Sequence, residues 1–474
     1  MVVGDVTTGT EVLIIGAGPG GYVAAIRAGQ IGLDATLVEK EAYGGTCLNY
    51  GCIPSKALIS ATDVAHDARE AEEMGIHADP AVDLAGMVSW KDDVVEQLTN
   101  GVEQLCKANN VNLVEGRAEF ADEESVRVAH EGEGQGSETI AFENAIVATG
   151  SRPIEIPNFE FDGEHIIDSR DALSLDAVPE SLVVVGAGYI GMELSTVFAK
   201  LGTDVTVVEM LDSVLPNYED DLADVVKDRA EELGIDFYFG ESASDWEESG
   251  DGITVRTENE DGEVSEFGAE KALVAVGREP VTDTLNLDAI GLEPGENGFL
   301  DTDDRARTAV ENVFAVGDVA GEPMLAHKGM REGEVAVEVI AGEPSALDYQ
   351  SVPAAVFTDP EIGTVGMTES EAEEAGFSPV VGQFPMQASG RALTLGDTEG
   401  FTRVVADDDS GFILGAQIVA PEASEMIAEF GLAIEMGATI EDIGATIHTH
   451  PTLGETVMEA VENARGKAIH TLNR

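Results

Sequence analysis

The chain has 474 residues, 43% of them hydrophobic, and carries 92 acidic against 25 basic side chains for a formal net charge of −67. That length predicts two to four domains, and acidic residues dispersed through periodic apolar segments argue against an acidic disordered chain. The charge argues against nucleic acid or an anionic membrane as partner and points to a salt-loaded cytoplasm, because at about 1 M salt the screening length falls to roughly 3 Å.

The first ten residues, MVVGDVTTGT, lack the basic and apolar regions of a secretory signal. No run of about 18 apolar residues occurs, so no membrane span is expected. The expected compartment is cytoplasmic and reducing. Residues 11–39 then read as a nucleotide-binding unit: an apolar strand EVLII, the glycine turn GAGPGG, an alanine-rich helix, and a second strand ending at Glu39. Gly16 permits the tight turn, Gly18 lets backbone approach a pyrophosphate, and Gly21 lets the helix pack close to its strand. Glu39 is placed to accept hydrogen bonds from a ribose.

Residues 44–56, GGTCLNYGCIPSK, hold two of only three cysteines. Cys47 and Cys52 read either as a dithiol that opens and closes during turnover or as two structural thiols, and the flanking glycines favour the dithiol. On a regular helix, positions five apart lie about 140° apart around the axis, so Gly45, Gly51 and Pro54 must distort the helical start to bring the sulfurs together. Lys56, four residues after Cys52, is either solvated or a cation that lowers a thiolate pKa or stabilises a reduced flavin. Cys106, in an apolar helical segment, reads as core.

The strand AIVATGSRP (145–153) runs into a Thr149–Gly150 turn. Residues 181–209 then repeat the first plan with the same spacing: Gly186, Gly188 and Gly191 in GAGYIG, and a strand ending at Glu209. A carboxylate at Glu209 would repel a 2′-phosphate, which favours NAD over NADP. ALVAVGREP (272–280) closes this second unit. VFAVGDV (313–319) ends at Asp318, either a loop cap or a ligand for a ribityl hydroxyl. Two dinucleotides and one dithiol suggest nicotinamide, flavin and disulfide in series.

Near the C-terminus, ATIHTHPTLGE (445–455) holds His448, His450 and Glu455. Thiol–disulfide exchange needs a base, and a histidine oriented by a carboxylate can serve. A structural histidine or a metal pair is the alternative, although no third metal ligand has convincing spacing.

Taken together, GAGPGG, GGTCLNYGCIPSK, ATGSRP, GAGYIGME, VGREP, AVGDV, MLAHK and HPTLGE resemble, in order and across the chain, the class I pyridine nucleotide-disulfide oxidoreductases, and most closely the dihydrolipoamide dehydrogenases among them. The resemblance implies an α/β fold with two Rossmann-like domains and a C-terminal α+β dimerisation domain: FAD-binding 1–150, NAD-binding 151–280, central 281–347 and interface 348–474. It implies that Gly16, Gly18, Gly21, Glu39, Thr46, Lys56, Ala118, Thr149, Gly150, Asp318 and Ala326 bind FAD. NAD would be bound by Gly186, Gly188, Gly191, Glu209, Val276 and Gly277. Cys47 would exchange with substrate, Cys52 would face the flavin, and Glu193 would pair with Lys56. His450, oriented by Glu455, would be the acid/base acting on the partner subunit of a homodimer, with His448 a neighbour. The implied reaction is NAD-linked oxidation of dihydrolipoamide on a lipoyl-carrying protein of a 2-oxoacid dehydrogenase complex or the glycine-cleavage system. A glutathione- or mercuric-reductase-like activity is the alternative, disfavoured by Met210 and Leu211 after Glu209 and by the absence of further C-terminal cysteines. Gly329, in AHKGMREGE where the family usually has another small residue, is expected to loosen its helix by up to about 1 kcal/mol relative to alanine.

Overall fold

A computed structural model describes residues 7–130, 136–250 and 252–473. The apolar opening run forms the strand Thr7–Ile15, in which Val12, Leu13 and Ile14 are fully buried. Each such side chain contributes at most about 1.5–3 kcal/mol by leaving water. This strand pairs in parallel with Ala35–Glu39 on one side and Ser137–Val147 on the other. Asn112–Glu115 extends the sheet at one edge, while Ser125–Ala129 and Arg117–Asp122 add antiparallel strands at the other. The distant strand Val313–Ala315 returns to pair in parallel with the end of Ser137–Val147.

The helix Pro19–Gln30 starts with proline in its first turn and buries only small residues: Gly20, Gly21, Ala24, Ala25 and Ala28. Small residues allow the helix Ala326–Ile340 to lie closely against it. A Cβ on Gly333 would stand 2.4 Å from the Gly20 carbonyl oxygen. Gly329, expected to loosen this helix relative to alanine, lies in its first turn. Its missing side chain admits the Gly317 turn, whose Cα would lie 3.1 Å from a Cβ there.

The second nucleotide-binding sheet is wholly parallel, in the order Asp236–Phe239, Asp204–Glu209, Ser181–Val185, Lys271–Val274, Ile166–Ile167. The chain leaves the first fold at Ser151–Pro153 and returns at Arg278–Pro280, and these two segments pair as an antiparallel ribbon. A five-stranded antiparallel sheet, in the order Ala354–Val356, Glu361–Gly366, Ile413–Ala420, Phe401–Asp407, Pro379–Pro385, forms the C-terminal module. The helices Ala423–Glu435 and Glu455–Ala464 cover it around a core that includes Phe430 and Val457. The α/β class with two nucleotide-binding sheets and an α+β C-terminal module is thus present. No helix among the described residues is long and apolar enough to cross a membrane.

Candidate active site

The two glycine turns are near-copies. Gly16 has φ +101° and Gly186 has φ +104°, a region that favours glycine. A Cβ on Gly16 would come within 2.3 Å of the Ala148 carbonyl oxygen, and one on Gly186 within 2.7 Å of that of Ala275. At Gly21 and Gly191 it would strike the carbonyl oxygens of Gly16 and Gly186 at 1.8 and 2.1 Å. Gly18 and Gly188 differ: a side chain there would meet no protein atom within 4 Å. Four glycines are therefore required by the fold, whereas Gly18 and Gly188 leave open the approach to a helix N-terminus, the place suited to a pyrophosphate. Val276 and Gly277 lie beside the second turn, with the Val276 Cα 3.2 Å from a Cβ built on Gly186.

The two terminal glutamates also match. Glu39 accepts the Ala17 N–H at 2.7 Å through one carboxylate oxygen and the Glu41 N–H at 2.8 Å through the other. Glu209 accepts those of Ala187 and Leu211 at 2.6 and 2.9 Å. Sequence reasoning gave these carboxylates a ribose partner and missed that each also ties its glycine turn to its own strand. Both roles are compatible, because an ionised carboxylate has about four acceptor sites.

Ten of the residues assigned to the flavin site, Gly16, Gly18, Glu39, Thr46, Lys56, Ala118, Thr149, Gly150, Asp318 and Ala326, line one cavity of about 530 Å³. Cys47, Cys52 and Glu193 line it too. Gly21 does not, consistent with its packing role. The six residues assigned to NAD lie outside this cavity, around the second turn, and the helix they begin sends Tyr189, Ile190 and Glu193 into the cavity wall.

The cysteines owe their proximity to a broken helix. Gly45–Asn49 forms one short turn, Tyr50 and Gly51 interrupt it, and a new helix begins at Cys52 and runs to Glu70. Both cysteines are thiols here. The Cys47 thiol donates a hydrogen bond to Cys52, which brings Cys52 down to about 7 against the opposing effect of burial, with Lys56 adding to the fall. The same bond, together with burial, drives Cys47 up. Cys52 is accessible because it faces the cavity, and it stands at a helix N-terminus, where a thiolate is favoured.

Lys56 Nζ lies 2.7 Å from Glu193 Oε2 and 4.4 Å from the centre of the Phe357 ring. Glu193, itself buried, accepts the Phe357 N–H at 2.9 Å through Oε1. This pair joins the dithiol helix to the second nucleotide fold and to the C-terminal module.

Asp318 is held by residues that the sequence reading did not single out. Ser151 Oγ donates to it at 2.6 Å, and Arg278 donates to Ser151 Oγ at 2.8 Å and to its carbonyl at 2.7 Å. The Gly317 N–H is gripped at 2.7 Å by Glu332, whose other oxygen lies 2.8 Å from Lys328 Nζ; both side chains are buried. Their signal lay in motifs already noted: Ser151 in ATGSRP, Arg278 in VGREP, Lys328 in MLAHK. Cys106 is fully buried in the core, as expected, and burial pushes its thiol up to about 11.

His450 and Glu455 form a dyad, Nδ1 to Oε1 at 2.9 Å, while Oε2 accepts the Thr452 N–H at 2.9 Å. Burial would raise the Glu455 carboxyl, but the Thr452 N–H and His450 outweigh it and hold it below the usual carboxylate range. His448 uses a different carboxylate, Glu429, at 2.9 Å, and its other ring nitrogen faces the Thr446 carbonyl at 3.1 Å. Neither His450 nor Glu455 lines the cavity of its own chain, and the His450 side chain is 79% exposed.

Comparison with known proteins places this arrangement. The profile of the pyridine nucleotide-disulphide oxidoreductases matches residues 10–333, and that of their dimerisation domain matches 352–461. The chain belongs to this family. It is 73% identical over 471 residues to dihydrolipoyl dehydrogenase 2 of Haloarcula marismortui, covering 99% of this chain and all of that one. It is 70% identical to dihydrolipoyl dehydrogenase of Halobacterium salinarum and 50% identical to that of Geobacillus stearothermophilus, with both chains covered completely in each case. Among solved structures, LpdA of Mycobacterium tuberculosis superposes with a TM-score of 0.89 at 28% identity, over 96% of this chain and 99% of that one.

Proposed function

We propose that this chain is a dihydrolipoyl dehydrogenase that works as a homodimer in the cytoplasm and oxidises dihydrolipoamide on a lipoyl-carrying protein, with NAD⁺ as acceptor. The observation that carries the reading is that Cys47, Cys52 and the Lys56–Glu193 pair share one cavity wall with the first glycine turn and Asp318. The sheets support the division into an FAD-binding part to residue 150, an NAD-binding part at 151–280, a central part at 281–347 and an interface part at 348–474. Gly16, Gly18, Glu39, Thr46, Ala118, Thr149, Gly150, Asp318 and Ala326 would hold FAD, which when bound would supply the two-electron carrier between the dithiol and NAD⁺. Glu209, Val276 and Gly277, at the second glycine turn, would hold the second dinucleotide.

In the oxidised enzyme Cys47 and Cys52 form a disulfide. His450, contributed by a second copy and oriented by Glu455, takes the proton of one substrate thiol, and the resulting thiolate attacks Cys47 Sγ. The Cys47–Cys52 bond breaks and its electron pair goes to Cys52, which its helix N-terminus and Lys56 stabilise as a thiolate. His450 gives the first proton to the departing Cys47 and takes that of the second substrate thiol, which attacks the substrate sulfur bound to Cys47, breaks that bond and closes the lipoyl disulfide. Two copies are required because His450 is exposed and outside its own chain's cavity. Exposed Leu432, Met436 and Ile447 near that loop support a partner surface. Cys47→Ser tests the assignment: lipoamide turnover should be lost while NADH still bleaches the bound flavin. Full lipoamide turnover in that variant would overturn it.

A further inference from the structure

Arg170 enters the cavity wall from the short helix Ser169–Ala172, at the start of the second nucleotide fold. Its guanidinium lies 3.7 Å over the centre of the Tyr50 ring and 2.7 Å from Glu41 Oε1, and the Tyr50 hydroxyl faces the same carboxylate. All three side chains line the cavity. They come from three separate segments. Glu41 follows the strand that ends at Glu39, and its N–H is bound by Glu39 itself. Tyr50 sits in the break between Cys47 and Cys52. Arg170 belongs to the fold inserted after residue 150.

An exposed ion pair alone would contribute little. Here the planar guanidinium stacks and pairs at once, a geometry that lysine cannot reproduce. We propose that Arg170, Tyr50 and Glu41 form a clamp across the wall of the flavin cavity that slows dinucleotide release by tying the dithiol loop to the Glu39 end and to the second fold. The clamp rests on the FAD reading above. A ligand lying between Glu39 and the dithiol is bordered by all three segments, and the clamp joins them without touching the sulfurs. Its stacking component should outlast screening by molar salt better than its ion pair does.

The test is the rate of flavin release from holoenzyme in molar KCl, followed by recovery of free-flavin fluorescence after dilution. Arg170→Ala and Tyr50→Val should each speed release about tenfold. The double variant should be no faster than either single one, because both remove the stack, which is what is left of the clamp once molar salt screens the ion pair. Arg170→Lys, which keeps charge but not the planar stack, should release FAD nearly as fast as Arg170→Ala. Unaltered release from both single variants, or effects that simply multiply in the double variant, overturns the clamp. Melting of the apoproteins followed by circular dichroism gives the second readout: a lowered melting temperature accompanied by wild-type release also overturns it, since that is a purely structural contact. Wild-type protein that takes up no FAD would overturn the functional reading and the clamp with it, an outcome distinct from equal release by wild type and variants.

Discussion

The two active-site thiols are the same chemical group in different positions. Cys52 receives a hydrogen bond, begins a helix and has Lys56 one turn away; Cys47 donates the bond and is driven up by it. In the reduced protein, ultraviolet thiolate absorbance should therefore appear with a midpoint at about 7. Cys52→Ser should remove that step, and Cys47→Ala should move it upward by deleting the donor. Lys56 and Glu193 act on Cys52 with opposite sign, the lysine lowering and the carboxylate raising its pKa. Lys56→Met should thus shift the midpoint upward, whereas Glu193→Gln should leave it level or lower. A midpoint unmoved by Lys56→Met would show that the helix terminus and Cys47 suffice to set it.

At the scale of elements, the glycine turns separate what the fold requires from what a ligand requires. Gly21 and Gly191 sit where a Cβ would overlap backbone, and backbone cannot yield as a flexible side chain does. Gly21→Ala should cost at least about 2 kcal/mol of stability, read as a lowered denaturant midpoint. Gly18→Ala meets no protein atom, so the protein should fold with wild-type stability in its apo form and yet retain little FAD on purification. These strand–turn–helix units were legible in the sequence because local pattern dictates them: an apolar run, a glycine spacing, a helix and an acidic end. The dithiol was legible for the same reason, its glycines marking the break at Tyr50–Gly51. The support of Asp318 by Ser151 and Arg278 was not, because residues 151, 278 and 318 meet only after the second fold has been inserted and the chain has returned.

The same limit operates over the whole molecule, where three modules meet at an ion cluster that no motif announces. Lys200, with only 5% of its side chain exposed, lies 2.7 Å from Asp63 and 2.8 Å from Asp359; Arg229 approaches Asp359 at 3.5 Å. Asp63 is on the dithiol helix, Lys200 on the helix begun by the second glycine turn, and Asp359 in the C-terminal module, so the cluster braces the far ends of the helices that carry Cys52 and Glu193. Lys200→Met would leave Asp63 without its cation and Asp359 with Arg229 alone, and should cost about 3 kcal/mol, the low end of the range for removing one partner of a buried pair, because Arg229 remains and Asp63 is partly exposed. Asp397 stands at the edge of this cluster, and burial together with Asp359 raises it to about 6, above the usual carboxylate range. Between pH 4 and 6 the folded protein then binds more protons at this site than the unfolded chain does, so its contribution to stability falls as pH rises through that window. Asp397→Asn should accordingly stabilise the protein at pH 7 and lose its advantage as pH falls through 6 toward 4. A net charge of −67 sets the background: thermal midpoints should rise from dilute buffer to molar KCl as repulsion is screened. The gain from Asp397→Asn should be larger in dilute buffer, where the neighbouring carboxylates act on Asp397 at full strength. Thermal melts of wild type and variant at pH 4, 6 and 7, each in dilute buffer and molar KCl, would measure both effects. Equal stabilisation at all three pH values would show that Asp397 ionises normally, and wild-type melting independent of salt would remove electrostatic repulsion as the force that couples this fold to its medium.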